Sequence, residues 1–175
     1  EKNNKAKMVF WGTSSFSVGV LEALKEAGIT PDLIVTAHDK PRGRKLIITP
    51  PPVKIWAQEN NVPVLQPEVL DSAFIYQLQT KNYKLFIVAS YGKIIPKRVL
   101  DIPKYGSLNV HPSLLPKLRG ASPIQSAILG EDKTGVTIML VDEKMDHGPI
   151  VTQKEIAISP WPPKASMLEK TLAYE

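Results

Sequence analysis

Short, nearly continuous apolar runs recur along this chain with helical stretches between them, and that alternation dictates the architecture. Met8, Val9, Phe10 and Trp11 form the first run, which ends at Gly12. Residues 33–37 and 85–89 form two more, and 107–110 reads as another strand. A strand without polar alternation must be covered on both faces, as in a parallel sheet flanked by helices. Ser15 is placed to cap a helix running through Val20, Leu21 and Leu24, with Gly28 just past its end. Residues 53–60, 96–100, 122–129 and 164–175 read as further helices or helical turns, and Asp71 or Ser72 caps another that reaches Thr80. Residues 62–65 suggest a short strand. Residues 136–141 and 150–158 alternate and predict a strand pair. The whole pattern predicts an α/β fold: a Rossmann-like, doubly wound, mostly parallel sheet with helices on both faces. Residues 38–52, rich in Pro, Gly, Lys and Arg, read as a loop in which Pro41 and Gly43 deny helix or strand.

Size and composition narrow the chemistry. The 175 residues suit one domain with a full core. No run approaches the roughly 18 apolar residues of a membrane span, and the polar start lacks the apolar region of a signal peptide. The chain has no cysteine, which excludes a disulfide scaffold, a cysteine nucleophile and a thiolate metal site, and which fits a reducing cytosol. A net charge of +5 permits an anionic partner. The start at Glu1 without methionine, and the stop at Glu175 inside a helical pattern, lead us to expect part of a longer chain.

Ligands of a doubly wound sheet sit beyond the carboxyl ends of its strands, so the residues following each strand are the ones to read for chemistry. After the first strand, Ser14 and Ser17 stand where a dinucleotide fingerprint needs glycine. No P-loop is present. Gly12-Thr13-Ser14-Ser15-Phe16 lacks the second glycine of a nucleophile elbow. His38, His111 and His147 have no metal-ligand spacing, although a His111/Asp146/His147 metal site is conceivable.

The densest signal runs from Asn109 to Gly120. Asn109 and His111 lie two residues apart, so on a strand they face the same side. Two polar groups facing one crevice are costly unless something pairs with them. The bland alternative is that Asn109 ties down a loop and His111 is a satisfied core histidine. A second signal, residues 141–149, is a turn carrying Asp146. Its bland alternative is a solvated carboxylate beside Gly148 and Pro149. Together the two signals suit acyl transfer to an amine. Attack on a formyl carbon builds an oxyanion that a neutral amide such as Asn109 can stabilise. A carboxylate such as Asp146 can orient and polarise His111, and the pair can take the proton from the attacking nitrogen.

The Asn-Val-His-Pro-Ser-Leu-Leu-Pro run at Asn109 to Pro116, with the Met-Asp-His-Gly-Pro run around Asp146, resembles the catalytic motifs of the 10-formyltetrahydrofolate-dependent formyltransferases. Arg119 to Ile124 and Thr134 to Met139 continue the resemblance. The family includes branches acting on glycinamide ribonucleotide and on sugar nucleotides. The stretches 39–45 and 49–54 resemble an insertion typical of the methionyl-tRNA branch, as do Val64 to Pro67 and Ala89 to Pro96.

The resemblance implies that Asn109, His111 and Asp146 are catalytic. It implies a formyl donor, 10-formyltetrahydrofolate, held as co-substrate against Phe86, Ile87, Val88, Ala89, Ser90 and Tyr91. Ser113, Leu114, Leu115 and Pro116 complete that set, with Thr137, Ile138, Met139 and Leu140. It implies a basic loop, Lys40, Arg42, Arg44 and Lys45, that contacts initiator methionyl-tRNA. No metal and no membrane partner are expected, and the protein is expected to be a cytoplasmic monomer. Residues 8–175 would be a catalytic domain truncated at its C-terminal end, without the barrel domain of such enzymes. Two alternatives remain open at this point: formylation of a small amine such as an amino sugar nucleotide, and a non-catalytic folate- or RNA-binding module.

Overall fold

In the structure, a computed structural model that describes residues 6–142, 146–158 and 164–175, the first apolar run becomes an interior strand of a sheet. This strand, β1 (Met8–Gly12), is buried at every position. Helix α1 (Ser15–Glu26) follows, then β2 (Leu33–Val35) and a small hairpin of β3 (Lys40–Arg42) and β4 (Ile47–Thr49). Next come α2 (Pro52–Glu59), β5 (Val64–Leu65), α3 (Ser72–Thr80), β6 (Leu85–Ala89), α4 (Lys97–Leu100) and β7 (Ser107–His111). The chain closes with α5 (Pro123–Gly130), β8 (Lys133–Leu140), β9 (Ile150–Ala157) and α6 (Ala165–Tyr174).

Seven strands form one sheet in the order β5-β2-β1-β6-β7-β8-β9. The first five run parallel, β8 runs antiparallel to β7, and β9 antiparallel to β8. This is the expected Rossmann-like, mostly parallel sheet. Alternation along β1 sends Phe10 to one face and Trp11 to the other. Phe10 packs with Leu21 of α1, Trp56 of α2, Ala127 of α5 and Leu172 of α6. Trp11 packs with Phe74 and Leu78 of α3 and Val99 of α4. Helices therefore cover both faces, which is why the strands carry apolar residues on both sides. Where α1 crosses α6 the axes approach closely, because a Cβ on Gly19 would lie 2.6 Å from the Cβ of Ala173.

Several boundaries differ from expectation. The first helix is capped one residue earlier, at Ser14, because Ser15 already has helical geometry. β2 stops at Val35, two residues short of the predicted end. Residues 38–52 are not a structureless loop. Pro41 sits inside β3, opposite Ile48, and the turn is made by Gly43 and Leu46 at φ 68° and 48°. A two-stranded ribbon has outward edges where a missing N–H is tolerated, so Pro41 does not break it. Of the predicted turn at 141–149, residues 143–145 lie outside the described residues. Among the described residues no helix is long and apolar enough to cross a membrane.

Candidate active site

The strand order reverses direction at β1 and β6, and the crevice of a doubly wound sheet opens at such a point. Here a cleft of about 590 Å³ lies beyond the carboxyl ends of β1, β6 and β7. Ser14, Val88, Ser90, Tyr91, Asn109 and His111 are among the residues that line it.

The β1 side is closed by a serine. A Cβ on Gly12 would meet Ser17 Cβ and Phe10 Cε1 at 2.7 Å, so only glycine lets the turn pack this tightly. Ser17 Oγ accepts from the Thr13 amide at 3.1 Å and the Ser14 amide at 3.2 Å, and donates to the Ala89 carbonyl at 2.6 Å. The amides that a dinucleotide site would aim at pyrophosphate are thus engaged internally, in keeping with the missing glycines.

The β6 side curls over the cleft through two left-handed residues, Ser90 at φ 50° and Gly92 at φ 81°. The Thr13 hydroxyl donates to the Tyr91 carbonyl at 2.9 Å and fixes that curl. The Tyr91 ring stands edge-on to Trp11, 5.3 Å between centroids, and burial pushes its phenol up to about 12. Its hydroxyl is buried and has no hydrogen-bond partner among the described residues.

The β7 side carries the polar cluster. Antiparallel pairing sets Asn109 opposite Met139 and His111 opposite Thr137. Thr137 is a hub for the segment that follows His111. Its hydroxyl donates to the Ser113 carbonyl at 2.7 Å and accepts from the Leu115 amide at 3.1 Å and from Gln153 Nε2 at 2.8 Å. Gln153 Nε2 also donates to the Leu115 carbonyl, and Ser113 Oγ to that of Lys117. Gly135 makes room for this segment, since a Cβ there would collide with the Lys154 carbonyl and with Leu114. Pinned this way, residues 112–120 form a strap that returns to the cleft.

The strap meets both ionisable members of the cluster. His111 Nε2 lies 3.0 Å from the Leu118 carbonyl. A carbonyl only accepts, so in this arrangement Nε2 carries the hydrogen and Nδ1 is the nitrogen left to act as base. Nδ1 faces Asp146 Oδ1 at 3.5 Å, with both side chains almost fully buried. Asn109 Nδ2 reaches the same oxygen at 3.5 Å. The other oxygen, Oδ2, accepts from the Gly120 amide at 3.0 Å. The Asp146 backbone is left-handed, φ 55°, and its carbonyl accepts from Arg119 Nε at 3.0 Å. Gly148 permits the turn, because a Cβ there would collide with the Leu140 carbonyl.

The three residues expected to be catalytic therefore come together at one end of the cleft. Asp146 is neither a solvated turn carboxylate nor remote from His111. Of the residues expected against the donor, Val88, Ser90, Tyr91 and Met139 line the cleft. Phe86, Ile87 and Ala89 are buried in the sheet, and Ser113, Leu115 and Thr137 in the strap and its anchor. Leu114, Pro116, Ile138 and Leu140 are not among the lining residues either. The role of Leu118 and of the Gly120 amide was not anticipated. Its only sequence signal is the glycine at the end of the Asn109–Gly120 run, which is left-handed at φ 97°. Among the described residues no group of three or more His, Asp or Glu could hold a metal ion.

Lys40, Arg42, Arg44 and Lys45 are exposed on the hairpin, apart from this cluster but on the carboxyl side of β2. Leu46, Ile47 and Ile48 are exposed beside them. The hairpin root is clamped. Asp39 accepts from Gln66 Nε2 at 2.8 Å and pairs with Lys54 at 2.8 Å. The Gln66 amide and then the Lys54 ammonium hold the Asp39 carboxyl below its usual value.

Residues 6–175 match the formyl transferase family. The chain is 51% identical over 156 residues to a methionyl-tRNA formyltransferase from Geobacillus sp. (strain WCH70), covering 87% of this chain and 49% of that protein. It is 48% identical over 155 residues to another from Halalkalibacterium halodurans, again over 87% and 49%. The chain thus spans about half the length of the curated relatives it matches. The phosphoribosylglycinamide formyltransferase structure from Streptococcus pneumoniae TIGR4 shares the fold, with a TM-score of 0.77, 21% identity, and coverage of 97% of this chain and 93% of that one.

Proposed function

Because this chain belongs to the formyl transferase family, we propose that it carries the chemistry that moves a formyl group from 10-formyltetrahydrofolate to the amino group of methionine on initiator tRNA. The observation that supports this reading most is the convergence of Asn109, His111 and Asp146 at one end of the cleft. Similarity to methionyl-tRNA formyltransferases at about half identity favours the tRNA acceptor over a small amine.

The chemistry follows from the geometry. The acceptor nitrogen attacks the formyl carbon, and the carbonyl oxygen gains negative charge. Asn109 Nδ2, a neutral donor held at 3.5 Å from Asp146, is placed to turn toward that oxygen. As the new C–N bond forms, the amine proton must leave. Leu118 holds the tautomer in which Nδ1 has the free lone pair, and the Asp146 carboxylate beside it stabilises the imidazolium that forms. The bond from the formyl carbon to the folate nitrogen then breaks, and that nitrogen takes a proton.

In this reading Val88, Ser90, Tyr91 and Met139 contact the donor, and the remaining expected residues shape the cleft from behind. Lys40, Arg42, Arg44 and Lys45 contact tRNA phosphates. The protein works as a cytoplasmic monomer. The test supplies the full-length enzyme with 10-formyltetrahydrofolate and two acceptors, charged initiator tRNA and an amino sugar nucleotide. Formylation of the tRNA is expected. Formylation of the sugar nucleotide alone would transfer the proposal to the small-amine reaction, and neither product would leave a binding module.

A further inference from the structure

Three consecutive strap residues grip the reacting pair from one side. The Leu118 carbonyl takes His111 Nε2, Arg119 Nε takes the Asp146 carbonyl, and the Gly120 amide takes Asp146 Oδ2. The two backbone contacts cannot be altered by changing a side chain, but Arg119 can. Asp146 is left-handed at φ 55°, a conformation that costs a non-glycine residue unless its surroundings hold it. The Arg119 guanidinium is the side chain that bonds its backbone carbonyl. Turning that peptide would swing Oδ1 away from His111 Nδ1 and from Asn109 together, because both meet the same oxygen at 3.5 Å.

We propose that Arg119 is a positioning residue, which acts through the Asp146 backbone to keep the carboxylate between His111 and Asn109. The inference rests on reading those three residues as the reacting centre. Arg119 is itself exposed and its hydrogen bond goes to the Asp146 backbone, so its effect reaches the chemistry through Asp146. An exposed arginine near a cleft has an obvious competing job, contact with an acceptor phosphate, and the two roles separate in the kinetics. Lost positioning lowers kcat and leaves binding alone, whereas a lost phosphate contact raises the acceptor KM.

The experiment compares Arg119→Met, Arg119→Lys and Asn109→Ala in the full-length enzyme, with thermal melting to verify folding. Misplacing a reacting group by about an ångström costs on the order of a hundredfold. Arg119→Met is therefore expected to lose roughly ten- to a hundredfold in kcat, with both KM values within about twofold. Arg119→Lys, which keeps a donor of similar reach, is expected to regain most of that loss. If Arg119→Met fails to fold, the lysine variant carries the test, as a partial kcat loss at unchanged KM. A raised acceptor KM at unchanged kcat overturns the proposal in favour of substrate contact. Unchanged kinetics in Arg119→Met overturn it too, provided Asn109→Ala is inactive. Full activity in Asn109→Ala would instead remove the reading of the centre itself.

Discussion

The cleft floor and the basic hairpin bring polar residues to the same end of the sheet by opposite means. On the floor, His111 and Asp146 are almost fully buried and each makes several contacts with strap and strand. On the hairpin, Lys40, Arg42, Arg44 and Lys45 are exposed, and what holds them is the short β3–β4 pairing and a clamp at the root through Asp39. Buried polar groups in low dielectric interact strongly and are costly to leave unpaired, so the floor is built to keep one geometry. Exposed cations are screened and mobile, and suit a partner whose charge is spread along a backbone. The contrast teaches that the floor should respond to substitution steeply and as a unit, and the hairpin gradually and in proportion to charge.

The steepest expected response is on the floor. Asn109→Ala should fold and lose roughly a hundred- to a thousandfold in turnover, the usual cost of one oxyanion donor. His111→Ala and Asp146→Ala should each be severely impaired, and the double variant barely worse than the poorer single, if the pair works through one proton as proposed. If the two losses multiply instead, the cluster is not a unit and the contrast with the hairpin collapses.

How far this contrast was legible beforehand depends on what each region buries. Leu85–Ala89 reads directly as a strand, since five apolar residues in a row have few other uses, and its ends match the structure. Asn109 and His111 were legible because period two places them on one face. The proximity of Asp146 was not, because it depends on β8 pairing back along β7 and on a left-handed backbone at Asp146 itself. The strap was invisible as a device, since its grip is made by backbone groups of Leu118 and Gly120 that any sequence has. The hairpin is not legible in the sequence, because a ribbon exposed on both faces shows no burial alternation, and Pro41 sits where its missing N–H does no harm. The first-helix cap is ambiguous by one residue in the sequence, because adjacent serines offer the same chemistry.

A gentler response is expected when Arg42, Arg44 and Lys45 are replaced together by alanine. Each phosphate contact contributes about 0.7 to 0.9 log units of affinity per decade of salt. The variant should show a raised tRNA KM and a salt slope flatter by roughly two to three if all three touch phosphate, with donor binding nearly unchanged. Kinetics at several salt concentrations would decide between this and a hairpin whose charges only keep it solvated. Identical slopes and an unchanged tRNA KM would mean the two regions do not share an acceptor.

The smallest expected effect lies at the hairpin root, and it tests whether order there depends on one clamp. Asp39 is held below its usual value by Gln66 and then by Lys54, so the folded protein binds its proton less readily than the unfolded chain. A depressed carboxyl contributes stability that is fully present above the ordinary value of 3.8 and is lost as pH falls through the lowered folded value. The clamp is therefore intact at neutral pH and fails only in acid. The pair is at the surface, and such pairs contribute little to global stability, so Asp39→Asn should leave the melting temperature nearly unchanged. Its effect should be local. Hydrogen exchange of the Leu46 amide, which donates to Gly43 across the turn, should quicken in Asp39→Asn at neutral pH, and the acid-dependent step expected of the wild type should disappear. A small rise in tRNA KM should accompany it, with kcat unaffected, because the floor is held by other bonds. Equal exchange in the two proteins would mean that β3 and β4 hold the hairpin by their own pairing. The exposed region would then be as self-sufficient as the buried one, and the proposed difference between them would reduce to charge alone.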